Sequence, residues 1–121
     1  MSCEAVNYIE VHIDDLFDNP DRYNGQPISV AGIYAGYRDM WPILYKNISD
    51  FTTKEPKIGI RISGRIGRQT NYINVKNGAP VIIRGIFRVP EENMLKLFFA
   101  DIIDVASVTG GDEAQRRLKE N

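Results

Sequence analysis

Two strand-forming segments that each contain a glycine constrain the fold of this 121-residue chain most strongly. The segments read Ile28-Ser-Val-Ala-Gly-Ile-Tyr34 and Val81-Ile-Ile-Arg-Gly-Ile-Phe-Arg-Val89, and they follow the pairs Asn24-Gly25 and Asn77-Gly78. Asn-Gly pairs form tight turns, and a glycine inside a β-branched run marks a bulge or a sharp bend. We therefore predict a small sheet that bends at Gly32 and Gly85 and coils into a barrel.

The rest of the chain predicts short strands and little helix. Alternating polar and apolar residues indicate an N-terminal strand over residues 7–13, and residues 14–19 are expected to form one helical turn with an aspartate cap. Residues 21–27 are expected to form a loop. Further strands are predicted at Ile43–Tyr45 and over residues 57–62, 79–89 and 94–105.

Bent strands without long intervening helices indicate a mainly β fold. We predict a closed or nearly closed antiparallel barrel of five strands, with an extra N-terminal strand and a short N-terminal helical turn. The barrel domain is expected over residues 1–109, and residues 110–121 are expected to form a C-terminal tail, either helical or frayed.

Two segments resemble a known fold family. Asn19-Pro-Asp-Arg-Tyr-Asn-Gly-Gln-Pro-Ile-Ser-Val-Ala-Gly32 resembles the opening of small bacterial OB-fold (oligonucleotide/oligosaccharide-binding) proteins, and Asn77-Gly-Ala-Pro-Val-Ile-Ile-Arg-Gly85 is similar to their fourth-strand signature. The resemblance covers roughly residues 7–105 and departs from the usual layout in having no clear helix between the third and fourth barrel strands. It implies a module that binds single-stranded nucleic acid, oligosaccharide or protein on the second and third strands and their loops.

Charge is distributed unevenly although the net charge is only −1. Residues 1–50 contain three basic and eight acidic residues, whereas residues 51–100 contain nine basic and three acidic ones. A separation of this kind can create a basic face that attracts an anionic partner. The alternative is that the two halves neutralise each other between neighbouring strands.

Aromatic and basic residues cluster where the resemblance implies ligand binding. Single-strand binding uses rings on which bases stack and cations that follow the phosphates. The candidate nucleic-acid or ligand-binding residues are Tyr34, Tyr37, Arg38, Trp41, Tyr45, Lys57, Arg61, Arg65 and Arg68. The alternative is that Trp41 and Tyr45 cap one end of the barrel. The low isoelectric point, about 5.8, predicts that nucleic-acid binding is weak and salt-dependent.

A second hypothesis is a protein–protein interaction module, such as an adaptor, an inhibitor or an immunity-type partner. Arg84 and Arg88 share a strand face with Ile82 and Ile86, and this mixture of cationic and apolar side chains suits a protein interface. Unpaired strand edges also leave a dimer open as an alternative.

Nothing in the sequence indicates catalysis, so we expect no enzyme activity. The single histidine, His12, lies on an alternating strand, where a structural role is favoured over a general base. With one histidine and one cysteine we expect no metal site and no cofactor. The acidic cluster Asp14, Asp15, Asp18 and Asp21 is expected to cap the helical turn.

The N-terminus predicts a cytoplasmic protein that does not associate with membranes. It has neither a basic segment nor an apolar segment of the kind found in signal peptides. The single cysteine, Cys3, excludes an intramolecular disulfide and favours a reducing compartment. A periplasmic or lipid-anchored protein is the alternative if a signal peptide has been removed.

Overall fold

The computed structural model describes residues 7–36, 41–63, 76–90 and 99–119. The strands are β1 (Ile9–Val11), β2 (Pro27–Ala35), β3 (Ile43–Tyr45), β4 (Ile60–Ile62), β5 (Pro80–Arg88) and β6 (Ala100–Gly110). The helices are α1 (Ile13–Asp18), α2 (Pro20–Tyr23), α3 (Ile48–Thr53), the 3-10 turn Pro56–Ile58, and α4 (Asp112–Lys119). The predicted mainly β class is confirmed, with an extra N-terminal strand, short helices and a C-terminal helix.

Five strands close a barrel of mixed direction. Around the barrel the order is β2, β3, β4, β6 and β5, and β5 pairs back onto β2 from Pro27↔Ile86 to Ile33↔Pro80. The prediction of an antiparallel barrel is wrong at one seam, because β4 and β6 run parallel. Strand β1 lies outside the ring and pairs in parallel with the first half of β2. This architecture is compatible with an OB-like fold.

The predicted strand irregularity is found at Gly85, and both strand glycines lie where another chain segment comes close. A Cβ added at Gly85 would lie 2.6 Å from Ile102 Cγ2, and the register of β5 against β6 shifts beside it, between Arg84 and Ile86. A Cβ added at Gly32 would lie 2.7 Å from Leu44 Cγ. Neighbouring chain segments therefore approach both positions too closely for a side chain.

Both Asn-Gly turns are also confirmed. Gly25 and Gly78 have φ angles of +82° and +84°, in the left-handed region that glycine adopts without strain. Each turn leads into one of the two long central strands, β2 or β5.

The apolar core fills the barrel, and α1 closes one end of it. Leu16 is fully buried, and the Phe17 ring centroid lies 4.5 Å from that of Phe99. The helix begins one residue earlier than predicted, since Ile13 also turns into the core. His12 is therefore the N-cap, and its Nδ1 accepts a hydrogen bond from the Asp14 backbone N–H at 3.0 Å. The prediction of an aspartate cap is wrong for this reason.

Other boundaries differ from the predicted ones for local reasons. Residues 21–23, expected within a loop, belong to α2, because Pro20 is well suited to the first position of a helix. Strand β4 is shorter than predicted because Pro56–Ile58 forms a 3-10 turn, which leaves Ile58 exposed. Strand β6 continues to Gly110, while residues 94–98 of the predicted strand lie outside the described residues.

Within the described ranges, no helix is long and apolar enough to span a membrane.

Candidate nucleic-acid interface

A row of charged side chains crosses three neighbouring strands on the outside of the barrel. The register places Arg61 of β4 beside Asp101 of β6, and Asp101 beside Arg88 of β5. The residues that flank each of them along the strand point into the core, so these three point outward. We call Arg61, Asp101 and Arg88 the charged row.

Asp101 holds both arginines of the charged row. Its Oδ1 and Oδ2 accept from Arg61 Nε at 2.7 Å and Arg61 Nη2 at 2.9 Å, and Oδ2 also accepts from Arg88 Nη2 at 3.0 Å. Asp101 is only 2% exposed, whereas the Arg88 side chain is 47% exposed. One carboxylate therefore fixes two guanidinium groups and cannot neutralise both.

Trp41 lies on the same outer face, next to the charged row. The Ile62 N–H donates to the Pro42 carbonyl at 2.7 Å, which continues the β3–β4 ladder beyond the Ile43↔Arg61 pair. Trp41 is therefore beside Ser63 and diagonal to Arg61, a spacing at which long side chains can meet. The tryptophan is 46% exposed, so its indole ring is accessible from solvent.

Two tyrosines predicted at the interface are buried. Tyr34 is 5% exposed and packs in the barrel core. Tyr45 is fully buried on the outer side of β3, where the Phe51 ring of α3 contacts it edge to face with centroids 6.2 Å apart. Neither ring offers a face to a surface ligand, which corrects their assignment to the interface.

The remaining predicted residues of this face do not join the charged row within the described structure. Lys57 is exposed on the 3-10 turn that precedes β4, at the end of the strand opposite Trp41. Four predicted residues lie outside the described residues: Tyr37, Arg38, Arg65 and Arg68.

A second surface was predicted on β5, a stripe of alternating apolar and cationic side chains formed by Ile82, Arg84, Ile86 and Arg88, and it is covered at one end. Ile82 is fully buried beneath α4, where it packs with Ala114. Ile86 is half-buried and pairs with Ile103 of β6. Arg84 is also half-buried, and its Nη1 lies 3.5 Å from Ser107 Oγ. The stripe therefore consists of Arg84, Ile86 and Arg88, and it joins the charged row at Arg88.

Sequence reasoning missed a fourth ordered arginine, Arg117 of α4. Its Nη1 and Nη2 donate to Ser29 Oγ and to the Ser29 carbonyl, each at 2.9 Å. Ser29 pairs with Arg84 across β2 and β5, so Arg117 is held next to Arg84. The spacing of Ala114 and Leu118 on one helix face signals that α4 packs against something, but the sequence does not say which face of the barrel receives it.

Among the residues that the structure describes, no group of three or more His, Cys, Asp or Glu side chains is arranged to hold a metal ion. His12 is used as a helix cap.

Comparison with known proteins gives no family for the chain. No protein-family model matches it, and no curated protein matches it in sequence. The candidate interface therefore depends on the geometry of this chain alone.

Proposed function

We propose that the protein is a non-catalytic OB-like binding module that binds single-stranded nucleic acid across the charged row. The observation that carries this proposal is the exposed Trp41 ring diagonal to Arg61. A base stacked on an aromatic ring contributes about 1–3 kcal/mol, and neighbouring cations contact the phosphates. The closed five-stranded barrel is an architecture on which such sites are built.

The three charged residues have different roles in this proposal. Arg88 contacts phosphate, because its side chain is 47% exposed and its hydrogen bond to Asp101 uses one nitrogen, Nη2. Arg61 is held on two nitrogens and supports the stacked base next to Trp41. Asp101 keeps the two guanidinium groups together but offsets part of their charge. Binding is therefore weak and strongly salt-dependent.

The test is fluorescence anisotropy with labelled oligothymidylates at low salt. Trp41→Ala and Arg88→Ala should each weaken binding, and the double variant should abolish it at the concentrations used. Arg22→Ala is the matched control, since it removes the same charge from α2, where Arg22 lies over the Tyr23 ring. Absence of binding by the unmodified protein, or equal affinity in the double variant and the control, would overturn the proposal.

A protein–protein interaction module is the second candidate, and one observation favours it. Half-buried Ile86 and Ile103 form a cross-strand pair between the levels of Arg84 and Arg88. Apolar contacts bordered by arginine are common in protein interfaces. A pull-down that returns one acidic protein in stoichiometric amount, lost with Ile86→Glu and accompanied by no nucleic acid, would favour this function.

A further inference from the structure

The basic surface continues beyond the charged row. Arg84 lies on the same face of β5 as Arg88, four residues away, and Arg117 lies next to Arg84 over Ser29. We propose that Arg61, Arg88, Arg84 and Arg117 form one continuous path for a single strand, which we call the arginine arc. This inference rests on the proposed function and adds the route and length of the bound strand.

Charge favours an anionic strand on the arc. Among described residues, no carboxylate lies within 4.0 Å of the charged atoms of Arg84 or Arg117. Arg84 is near a hydroxyl, and Arg117 donates to a hydroxyl and a carbonyl. Neither arginine therefore forms an ion pair with a described acid, whereas Arg61 and Arg88 both pair with Asp101.

The bonds of Arg117 also preorganise the far end of the arc. Ser29 is 1% exposed, so it is a rigid partner rather than a mobile surface group. The bidentate contact holds the guanidinium group in one orientation, and little side-chain entropy is then lost when a ligand binds. Arg117 can do this only while α4 is docked, through fully buried Ala114.

The alternative route, over the outer face of β3, is occupied by the protein itself. Ile43 and Tyr45 are fully buried there, with Phe51 of α3 and Leu118 of α4 packed against their cluster. A strand that passes Trp41 is therefore directed across β4, β6 and β5.

Strand geometry sets the length of the arc. Two strand spacings of about 4.8 Å separate Arg61 from Arg88, and four residues at about 3.3 Å separate Arg88 from Arg84. One further strand spacing of about 4.8 Å separates Arg84 from Ser29, over which Arg117 is held. The path is therefore roughly 28 Å long, which at about 3.4 Å per stacked nucleotide corresponds to roughly eight nucleotides, and to fewer if the strand is extended. This length is within the range of about 4–16 nucleotides bound per OB fold.

The experiment measures the affinity of oligothymidylates from about three to about twelve nucleotides at several salt concentrations. Affinity should rise with length and level off at or below about eight nucleotides. Arg84→Ala and Arg117→Gln should each lower affinity at least about threefold for the longer oligomers and reduce the salt slope by about 0.7. Circular dichroism and thermal melting confirm that each variant is folded, and Arg84→Lys should restore the slope.

Lys57→Ala is the matched control, because Lys57 is exposed at the other end of β4 and lies off the arc. If Trp41→Ala and Arg88→Ala weaken binding but Arg84→Ala and Arg117→Gln do not, the arc is wrong while the proposed function stands. A loss with Lys57→Ala that exceeds the loss with Arg84→Ala would also overturn the arc. If no oligomer binds the unmodified protein, the proposed function fails and the arc fails with it.

Discussion

Asn24 and Asn77 occupy equivalent positions at opposite ends of the central β2–β5 pair. The Asn24 Oδ1 accepts from the backbone N–H of Val89, just after β5, and the Asn77 Oδ1 accepts from that of Gly36, just after β2. The glycine after each asparagine repeats the relationship, since Gly25 donates to the Phe87 carbonyl and Gly78 to the Tyr34 carbonyl. A local two-fold relationship therefore connects the two Asn-Gly turns, and each turn fastens the end of the opposite strand.

We expect Asn24→Ala and Asn77→Ala each to lower the free energy of unfolding by about 0.5–1.5 kcal/mol, since each removes one side-chain hydrogen bond. The two sites lie at opposite ends of nine-residue strands, so the double variant should show the sum of the two effects. Urea unfolding measures both. Asn19→Ala is the control, because the Asn19 side chain makes no capping hydrogen bond. Strong coupling in the double variant would show that the two turns do not act independently.

The strand glycines should tolerate no side chain. We expect Gly85→Ala and Gly32→Ala each to destabilise the fold by about 1–3 kcal/mol through overpacking. Gly110→Ala is the matched control in the same sheet, since the nearest atom to its added Cβ is the Pro80 carbonyl oxygen at 3.8 Å. Thermal or urea unfolding of the three variants makes the comparison. Equal stability of Gly85→Ala and Gly110→Ala would contradict the close approach described at Gly85.

Asp101 should matter more to stability than either arginine that it binds. Asp101→Asn leaves two ordered guanidinium groups beside each other without their shared carboxylate, and we expect a loss of about 2–3 kcal/mol. Arg88→Ala should cost less than about 1 kcal/mol, because about half of the side chain is exposed and Arg61 still pairs with Asp101. Denaturant midpoints of the two variants measure which substitution destabilises the protein more. A larger loss with Arg88→Ala than with Asp101→Asn would refute the prediction.

His12 should stabilise the protein by capping the N-terminus of α1. His12→Ala removes the acceptor for the Asp14 N–H, and we expect a loss of about 1 kcal/mol. His12→Ser and His12→Asn supply another acceptor at the cap and should restore most of the stability. Thermal melts at one fixed pH compare the three variants. If the serine variant is no more stable than the alanine variant, the cap is not what His12 contributes.

Local patterns in the chain were sufficient to predict the two long strands of the barrel and the turns that precede them. The two glycine-bearing strands and the Asn-Gly turns follow from backbone preferences that act within a few residues. The same kind of reasoning failed at His12, where the position of the helix start depends on Ile13 reaching the core. Such shifts of one or two residues depend on packing, and propensity alone does not resolve them.

The candidate interface was predicted only in part, and the two aromatic residues near β3 show why. Trp41 and Tyr45 are four residues apart on the same side of an extended segment, so alternation treats them alike. Trp41 is 46% exposed and Tyr45 is fully buried, because Phe51 of the following helix packs against Tyr45.

Local preferences along the chain were enough to predict the strand glycines, the Asn-Gly turns, the strand alternation and the basic middle segment, because each depends on neighbouring residues. Which charged groups meet depends on the three-dimensional fold. Arg61 pairs with Asp101 across forty positions, and Arg117 with Ser29 across eighty-eight. Closing the barrel and docking α4 bring those groups together, and no local preference encodes contacts that arise from packing elements distant in sequence.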